Sequence, residues 1–209
     1  MFRKYYSQLG QDKIVMQILK KKKIKKGIYF DIGANDGITI SNTFVFEKKG
    51  WKGICVEPDS DVFEKLVRNR KCHCKNVAIS SENGSAKFTK IVGYSQMLSG
   101  LTDSYSERHK KRIQSETEKF GNTVQEIEVE TRTIDTIMQE CFKDVYCIDY
   151  MSIDTEGSEE MILRSIDFDR YVIHVLSVEN NYDDDNIREY MKTKGYKVIK
   201  HFSDDIYYL

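Results

Sequence analysis

The sequence predicts a single Rossmann-like α/β domain, with a mostly parallel sheet and helices on both faces. Short apolar runs alternate with segments of helical spacing along most of the chain. The first run ends in a turn with glycines and carboxylates, and the second ends in Glu57-Pro58, as strand ends do at a ligand site. The 209 residues, 40% hydrophobic and 32% charged, suit one globular domain spanning residues 1–209.

The N-terminal segment, residues 1–26, predicts one helix. Apolar side chains recur at helical spacing from Gln11 to Lys22. The lysines that follow favour a solvated helix end, because cations stabilise the negative end of the helix dipole. A nucleic-acid patch or an import signal is the alternative interpretation of the same lysines.

The first half of the chain alternates buried strands with helices. Runs of four to six apolar residues next to Gly or Pro are typical of strands that are covered on both faces. Strands are predicted at 27–32, 53–56 and 74–79, a β segment at 85–92, and helices at 41–49 and from Asp59 onward.

Residues 93–122 are polar and lack clear periodicity, which predicts an insertion lying over the sheet with one charged helix. Tyr94, Tyr105 and Phe120 lie among charges there, and aromatic faces with polar neighbours suit sugar rings. We therefore expect this segment to build an acceptor site; a mobile polar insertion without function is the alternative.

The second half returns to strand and helix alternation and ends in an antiparallel hairpin. Residues 124–131 alternate Val or Ile with charges, which predicts an edge or half-exposed strand. Further strands are predicted at 147–153 and 172–178, helices at 134–141, 158–165 and 185–194, and hairpin strands at 196–201 and 206–209.

The turn after the first predicted strand, Asp31 to Gly37, carries two glycines and two carboxylates. Its glycines are four residues apart, so it is neither a dinucleotide fingerprint nor a phosphate-binding P-loop. Carboxylates would repel a pyrophosphate, whereas the ammonium and sulfonium of S-adenosylmethionine suit an acidic loop. The sequence therefore predicts S-adenosylmethionine as cofactor.

The next strand ends in Glu57, which Pro58 keeps extended. A carboxylate at that place can accept hydrogen bonds from both ribose hydroxyls. The predicted cofactor-binding residues are Gln11, Asp31, Gly33, Asn35, Asp36, Gly37, Glu57, Pro58, Ala78 and Asp154. For Gln11, a plain helix start is the alternative.

Several short sequence motifs together resemble those of the FkbM family of methyltransferases, over nearly the whole chain. They lie at residues 7–12, 31–37, 57–58, 76–78, 133–135, 152–159 and 178–182. The resemblance implies a class I methyltransferase fold with a seven-stranded sheet, and O-methylation of a hydroxyl. The implied acceptor is a sugar in a glycan or a polyketide-like small molecule, and such domains often accompany a glycosyltransferase domain in a longer chain. Asn180 stands where similar members often carry His.

Three carboxylates at two strand ends are the predicted catalytic residues: Asp154, Glu156 and Glu179. A hydroxyl needs a base to take its proton, and crowded carboxylates have raised pKa values that suit a base. We expect Asp154 beside the methyl donor and the two glutamates at the acceptor. A divalent cation bound by all three is one alternative; helix N-capping by Asp154 and Glu156 is another.

Two other function classes are alternatives: a dehydrogenase and a non-catalytic binding domain. An NAD-dependent dehydrogenase would need a phosphate-friendly glycine loop, which the acidic turn contradicts. A non-catalytic domain would bind the cofactor without transfer.

The balanced charge, with 33 basic and 33 acidic residues, favours no nucleic-acid partner. The sequence also predicts no membrane span, a cytoplasmic location and reduced thiols, with a metal at Cys72-His73-Cys74 disfavoured.

Overall fold

The computed structural model describes residues 5–209, so the first four residues of the predicted segment 1–26 lie outside the described part. The helices are α1 Gln11–Lys21, α2 Phe44–Lys48, α3 Ser60–Asn69, α4 Glu107–Phe120, α5 Ile134–Cys141, α6 Glu159–Ser165 and α7 Asp185–Thr193. The strands are β1 Ile28–Ile32, β2 Lys52–Val56, β3 His73–Lys75, β4 Ala78–Ile79, β5 Gly84–Val92, β6 Gly100–Leu101, β7 Thr123–Arg132, β8 Cys147–Ile148, β9 Tyr150–Ile153, β10 Val172–Ile173, β11 Val175–Glu179, β12 Lys197–His201 and β13 Asp204–Tyr208.

The main sheet has seven strands in the order β12-β13-β11-β9-β1-β2-β3. The pairs formed by β1, β2, β3, β9 and β11 are parallel, and β13 runs antiparallel to both of its neighbours. This confirms the predicted fold class, including the C-terminal hairpin, whose second strand lies inside the sheet.

Alternate residues of the central strands point to opposite faces of the sheet, as the strand period requires. Tyr29 packs with α1, α2 and α3 on one face, whereas Phe30 packs with α5, α6 and α7 on the other. Both side chains are fully buried. The continuous apolar character of these strands therefore follows from helices that cover both faces.

A second sheet, not predicted from the sequence, has the order β4-β7-β5-β6. The predicted strand 74–79 is wrong as one element, because β3 joins the main sheet and β4 joins the second. Between them, the Asn76 side chain donates hydrogen bonds to the carbonyls of Glu57 and Pro58 at 2.8 and 3.0 Å. These bonds hold Asn76 at the end of β2, and the chain leaves the main sheet after it.

Three other predicted elements differ in extent. The strands expected at 147–153 and 172–178 are each interrupted, at Asp149 and His174, where a short outer pair, β8 and β10, separates from the main sheet. The helix expected at 41–49 forms only as α2. The half-exposed strand at 124–131 is confirmed as β7, which pairs with β5 on one side and with β4 at its end.

The segment 93–122 contains the predicted charged helix, α4. Ser106 caps its start by accepting a hydrogen bond from the backbone N–H of His109 at 3.1 Å. Gly121 ends it in the left-handed conformation, at φ 68°. Among residues 5–209, none of the helices has both the length and the apolar character that crossing a membrane requires.

Candidate active site

A cavity of about 340 Å³ opens at the carboxyl ends of β1, β2, β9 and β11. Ligands of open α/β sheets bind at this edge, and the volume lies within the usual range for small-molecule sites. Most of the predicted site residues line the cavity: Asp31, Gly33, Asn35, Glu57, Pro58, Ala78, Asp154, Glu156 and Glu179.

Gln11, Asp36 and Gly37 are not among the lining residues. Gln11 is buried and donates a hydrogen bond to Asp204 at 2.7 Å, while its neighbours Gln8 and Leu9 line the cavity. Asp36 accepts hydrogen bonds from the amides of Ile38 and Thr39, so it shapes the turn.

The turn after β1 approaches two neighbouring strands closely. The amides of Gly33 and Ala34 donate to the Val56 carbonyl at 3.2 and 3.0 Å. Gly33 has φ 82°, and a Cβ there would lie 1.9 Å from the Asp154 carbonyl oxygen. Only glycine fits this contact, which brings the β1 turn against the strand end that carries the catalytic candidates.

Glu57 ties the second strand to this turn. Its carboxylate accepts hydrogen bonds from the backbone amides of Asn35 and Asp59, both at 3.0 Å. Burial raises the pKa of Glu57 to about 7, although the two amide hydrogen bonds oppose the shift. Each oxygen keeps a lone pair free for a ligand hydroxyl.

We expect Glu57→Gln to change how stability depends on pH. The folded state holds a proton on Glu57 up to about pH 7, whereas the unfolded chain releases it near 4.5. The wild-type free energy of unfolding should therefore fall, relative to Glu57→Gln, by on the order of 2 to 3 kcal/mol as the pH rises from about 5 to 8. Urea unfolding of both proteins across this range measures the difference, and parallel curves would contradict the assignment.

Arg70 was not predicted from the sequence. It also holds the turn after β1 through side-chain hydrogen bonds. Its side chain is fully buried and donates to the Gly37 carbonyl at 2.9 Å, to Thr43 Oγ1 at 3.0 Å and to Glu47 at 3.0 Å. It also lies 3.8 Å from Asp31, whose pKa burial raises to about 6 against this positive charge.

Asp154, Glu156 and Glu179 converge, as predicted. Carboxylate oxygens of the three residues lie within 4.8 Å of one another. Burial, followed by the neighbouring carboxylates, raises the pKa of Asp154 and of Glu179 well above the usual value. A divalent cation would fit such a set of oxygens, so the cation alternative remains open.

Glu156 is the carboxylate of this group with a pKa near neutrality. Burial raises its pKa to about 7, against the opposing charge of Arg112. Its Oε2 lies 3.7 Å from Arg112 and 3.8 Å from His109, beyond hydrogen-bond distance, and is buried with no hydrogen-bond partner in the described chain. A buried carboxylate oxygen without a hydrogen-bond partner is available to accept a proton.

The N-capping interpretation does not hold for Asp154 or Glu156. The amides of Thr155 and Gly157 instead donate to the Glu159 side chain, at 2.8 and 3.0 Å. Glu159 thus closes the turn before α6 and leaves the other two carboxylates free for the cavity.

Further polar residues line the cavity that were not predicted as site residues. Asn42 and Ser158 are buried, and Asn42 Oδ1 and Ser158 Oγ have no hydrogen-bond partner within residues 5–209. Asn42 is an isolated polar residue with no spacing rule to mark it, whereas Ser158 lies in the stretch 152–159 that resembles the family. The apolar end of the cavity includes Val62, Ala78, Ile79, Phe88 and Leu101, partly from the unpredicted second sheet.

Asn180, the departure noted in the sequence, has a structural role. Its side chain donates to Asp205 at 2.8 Å and to the Asp184 carbonyl at 3.0 Å. It therefore joins the end of β11 to the C-terminal hairpin.

A family model and two solved structures are similar to this chain. A family model described as the methyltransferase FkbM domain matches residues 31–198. A solved structure from Klebsiella pneumoniae, assigned as an O-methyltransferase, is similar at 8% identity over 96% of this chain and 80% of that chain, with a TM-score of 0.43. The delta-N METTL16 MTase domain is similar at 12% identity over 95% and 79%, with a TM-score of 0.42. Among curated proteins nothing matches.

Proposed function

The chain belongs to the FkbM family of methyltransferases, and from that premise we propose that it transfers a methyl group from S-adenosylmethionine to a hydroxyl oxygen. The family implies this methyl donor, and the proposed acceptor is a sugar in a glycan. The observation that carries the proposal is one cavity that joins an apolar end to three crowded carboxylates.

The residues present fit the donor. S-adenosylmethionine supplies a methyl group bound to a sulfonium, which departs as a neutral thioether. The apolar end, near Ala78 and Phe88, suits an adenine ring, and Glu57 has lone pairs for ribose hydroxyls. Buried Asn42 and Ser158 offer unpaired polar atoms, which a polar ligand would satisfy.

The chain then has three tasks at the other end of the cavity: to hold the acceptor oxygen in line with the methyl group, to exclude water and to take a proton. Alignment alone supplies much of the acceleration in such displacements. We assign the proton to Glu156 Oε2, and the positioning of the acceptor to Glu179.

Residues 93–122 support the proposed acceptor site. Gln96, Met97 and Arg112 from this segment line the cavity. Farther out, the rings of Tyr94 and Phe120 lie 4.3 Å apart between centroids, with Tyr94 79% exposed. Neither ring lines the cavity, and this exposed aromatic face suits a sugar ring of an acceptor that extends beyond it.

We expect Glu57→Ala and Glu179→Ala to separate donor binding from transfer. Glu57→Ala removes the ribose acceptor, so the Kd for S-adenosylmethionine should rise about 10-fold to 100-fold. Glu179→Ala should leave that Kd within about twofold and lower kcat. Isothermal titration and single-turnover rates measure the two effects; an equal loss of donor affinity in both variants would refute the division of roles.

The function is tested by incubating the purified protein and donor with candidate glycans and with polyketide-like hydroxyl compounds. A mass gain of one methylene on the glycan is expected, and methylation of the small molecules alone would favour that alternative acceptor. Thermal shift completes the test, because a ligand at 100 times its Kd stabilises by about 2.7 kcal/mol. Stabilisation by NADH would overturn the assignment of S-adenosylmethionine as donor. Binding of S-adenosylmethionine without transfer to any acceptor would indicate a non-catalytic domain.

The setting of the reaction is part of the proposal. Five free cysteines support a reducing, cytoplasmic location. A glycosyltransferase domain in a longer parent chain rests on the family resemblance alone.

A further inference from the structure

Three cysteine side chains form a cluster outside the cavity, which we call the thiol cluster: Cys55, Cys72 and Cys74. The Sγ of Cys72 lies 3.5 Å from that of Cys55 and 4.0 Å from that of Cys74. Cys55 on β2 and Cys74 on β3 are register partners, and Cys72 immediately precedes β3. Cys72 is therefore the shared member of two close sulfur pairs.

Cys72 is the reactive thiol of the three. It is partly exposed, whereas Cys55 is fully buried. Contacts with the Cys55 and Cys74 thiols, together with the charge of Arg70, lower the pKa of Cys72 well below its usual value. A thiolate that solvent can reach, next to a second thiol, has the character of a redox-sensitive cysteine.

The thiol cluster connects directly to the turn that lines the cavity. Cys72 follows Arg70 by two residues, and Arg70 donates to the Gly37 carbonyl. Cys55 precedes Glu57 by two residues, and Glu57 accepts the Asn35 amide. The two cysteines therefore flank the two side chains that hold this turn, and a movement of Cys72 acts on Arg70.

We propose that Cys72 is an oxidation site for hydrogen peroxide that forms a reversible disulfide with Cys55 and thereby weakens donor binding. The Cys72 thiolate attacks one peroxide oxygen, the O–O bond breaks, and the leaving hydroxide takes a proton to become water. The Cys55 thiol loses its proton and attacks the resulting sulfenic acid, which releases a second water as the S–S bond forms. The two sulfurs together lose two electrons, and the peroxide is reduced to two waters.

The bond requires a local rearrangement. The sulfurs must close from 3.5 Å to the bonding distance of ~2.05 Å. Since Cys55 is fixed in the central sheet, the movement falls on Cys72 and the adjoining Arg70. The Arg70 guanidinium would then lose its aligned hydrogen bonds to the turn.

Trypsin makes the cross-link directly readable. Cleavage after lysines places Cys55 alone in peptide 53–65 and both Cys72 and Cys74 in peptide 72–75. Treatment of the protein with hydrogen peroxide should join these two peptides, and dithiothreitol should separate them. Loss of two hydrogens within peptide 72–75 alone, or no cross-link at all, would overturn the proposal.

Three serine variants identify the partners. Cys72→Ser should abolish the cross-link, whereas Cys74→Ser and the distant control Cys147→Ser should keep it. Persistence of the cross-link in Cys72→Ser would overturn the assignment of Cys72. Thermal unfolding under reducing conditions checks that each variant folds. If Cys72→Ser does not fold, Cys74→Ser still tests the Cys55–Cys72 pair.

Donor affinity is the second readout, and only this part rests on the proposed function. Oxidation should raise the Kd for S-adenosylmethionine about tenfold, or 1.4 kcal/mol, and should leave Cys72→Ser unaffected. A cross-linked protein with unchanged affinity would overturn the coupling. If the reduced protein does not bind the donor, the proposed function fails, while the cross-link still decides the oxidation site.

Discussion

Glu156→Gln should reduce kcat/KM for methyl transfer by about 10²-fold to 10⁴-fold, the usual contribution of a general base. The amide keeps the shape of the side chain but cannot take a proton. Donor affinity should change little, because the residue is assigned to the acceptor hydroxyl. Initial rates with a methylated product detected by mass spectrometry, combined with donor titration, measure both quantities.

The pH dependence of kcat/KM tests the role of Glu156 more specifically. A base acts when deprotonated, and the pKa of Glu156 is raised to about 7. The wild-type kcat/KM should therefore rise through about pH 7 and level off above it, and the residual activity of Glu156→Gln should lack that rise. Because three carboxylates interact, the midpoint belongs to the group as a whole. Glu160→Gln, at a partly exposed residue of α6 that pairs with Arg164, is the matched control and should behave as wild type.

Arg70→Met should destabilise the fold by about 3–5 kcal/mol, as breaking a buried ion pair does. The fully buried guanidinium bonds Glu47 and the Gly37 carbonyl and lies near Asp31. Its removal leaves buried acceptors unsatisfied and frees the turn that lines the cavity. Urea unfolding measures the stability loss, and thermal shift with S-adenosylmethionine should show weaker stabilisation by the donor.

Arg68→Met, two residues earlier on α3, provides the matched control. Arg68 pairs with Glu64 at 3.1 Å, but both side chains are more than 70% exposed. Exposed pairs contribute about 0–1 kcal/mol, so this variant should unfold near the wild-type urea concentration. Similar losses in the two variants would show that the Arg70 contacts contribute no special stability.

The sequence predicted the parts of the site that strand ends position. Parallel strands place their carboxyl ends at one edge, so Gly33, Glu57 and Asp154 could be brought together from the order of the strands alone. The convergence of Asp154, Glu156 and Glu179 followed from the same rule. Their roles in donor binding and proton transfer remain predictions.

The rest of the site depends on contacts that have no period in sequence. Arg70 follows the last turn of α3, and its partners come from β1, from α2 and from the irregular stretch between them, so only the folded chain shows why it is buried. The second sheet was missed because residues 74–79 keep a continuous strand-like pattern. Only the hydrogen bonds of Asn76 reveal where the chain leaves the main sheet.

The contact between Arg112 and Glu156 links two properties that are usually considered separately. Arg112 lies on α4 and lines the cavity, within the segment proposed to hold the acceptor, and its charge holds the pKa of Glu156 lower than burial alone would. A change in α4 that admits a different acceptor would therefore also shift the pH range in which Glu156 can take a proton. In descendants of this chain, a change of substrate preference and a change of pH optimum would be inherited together.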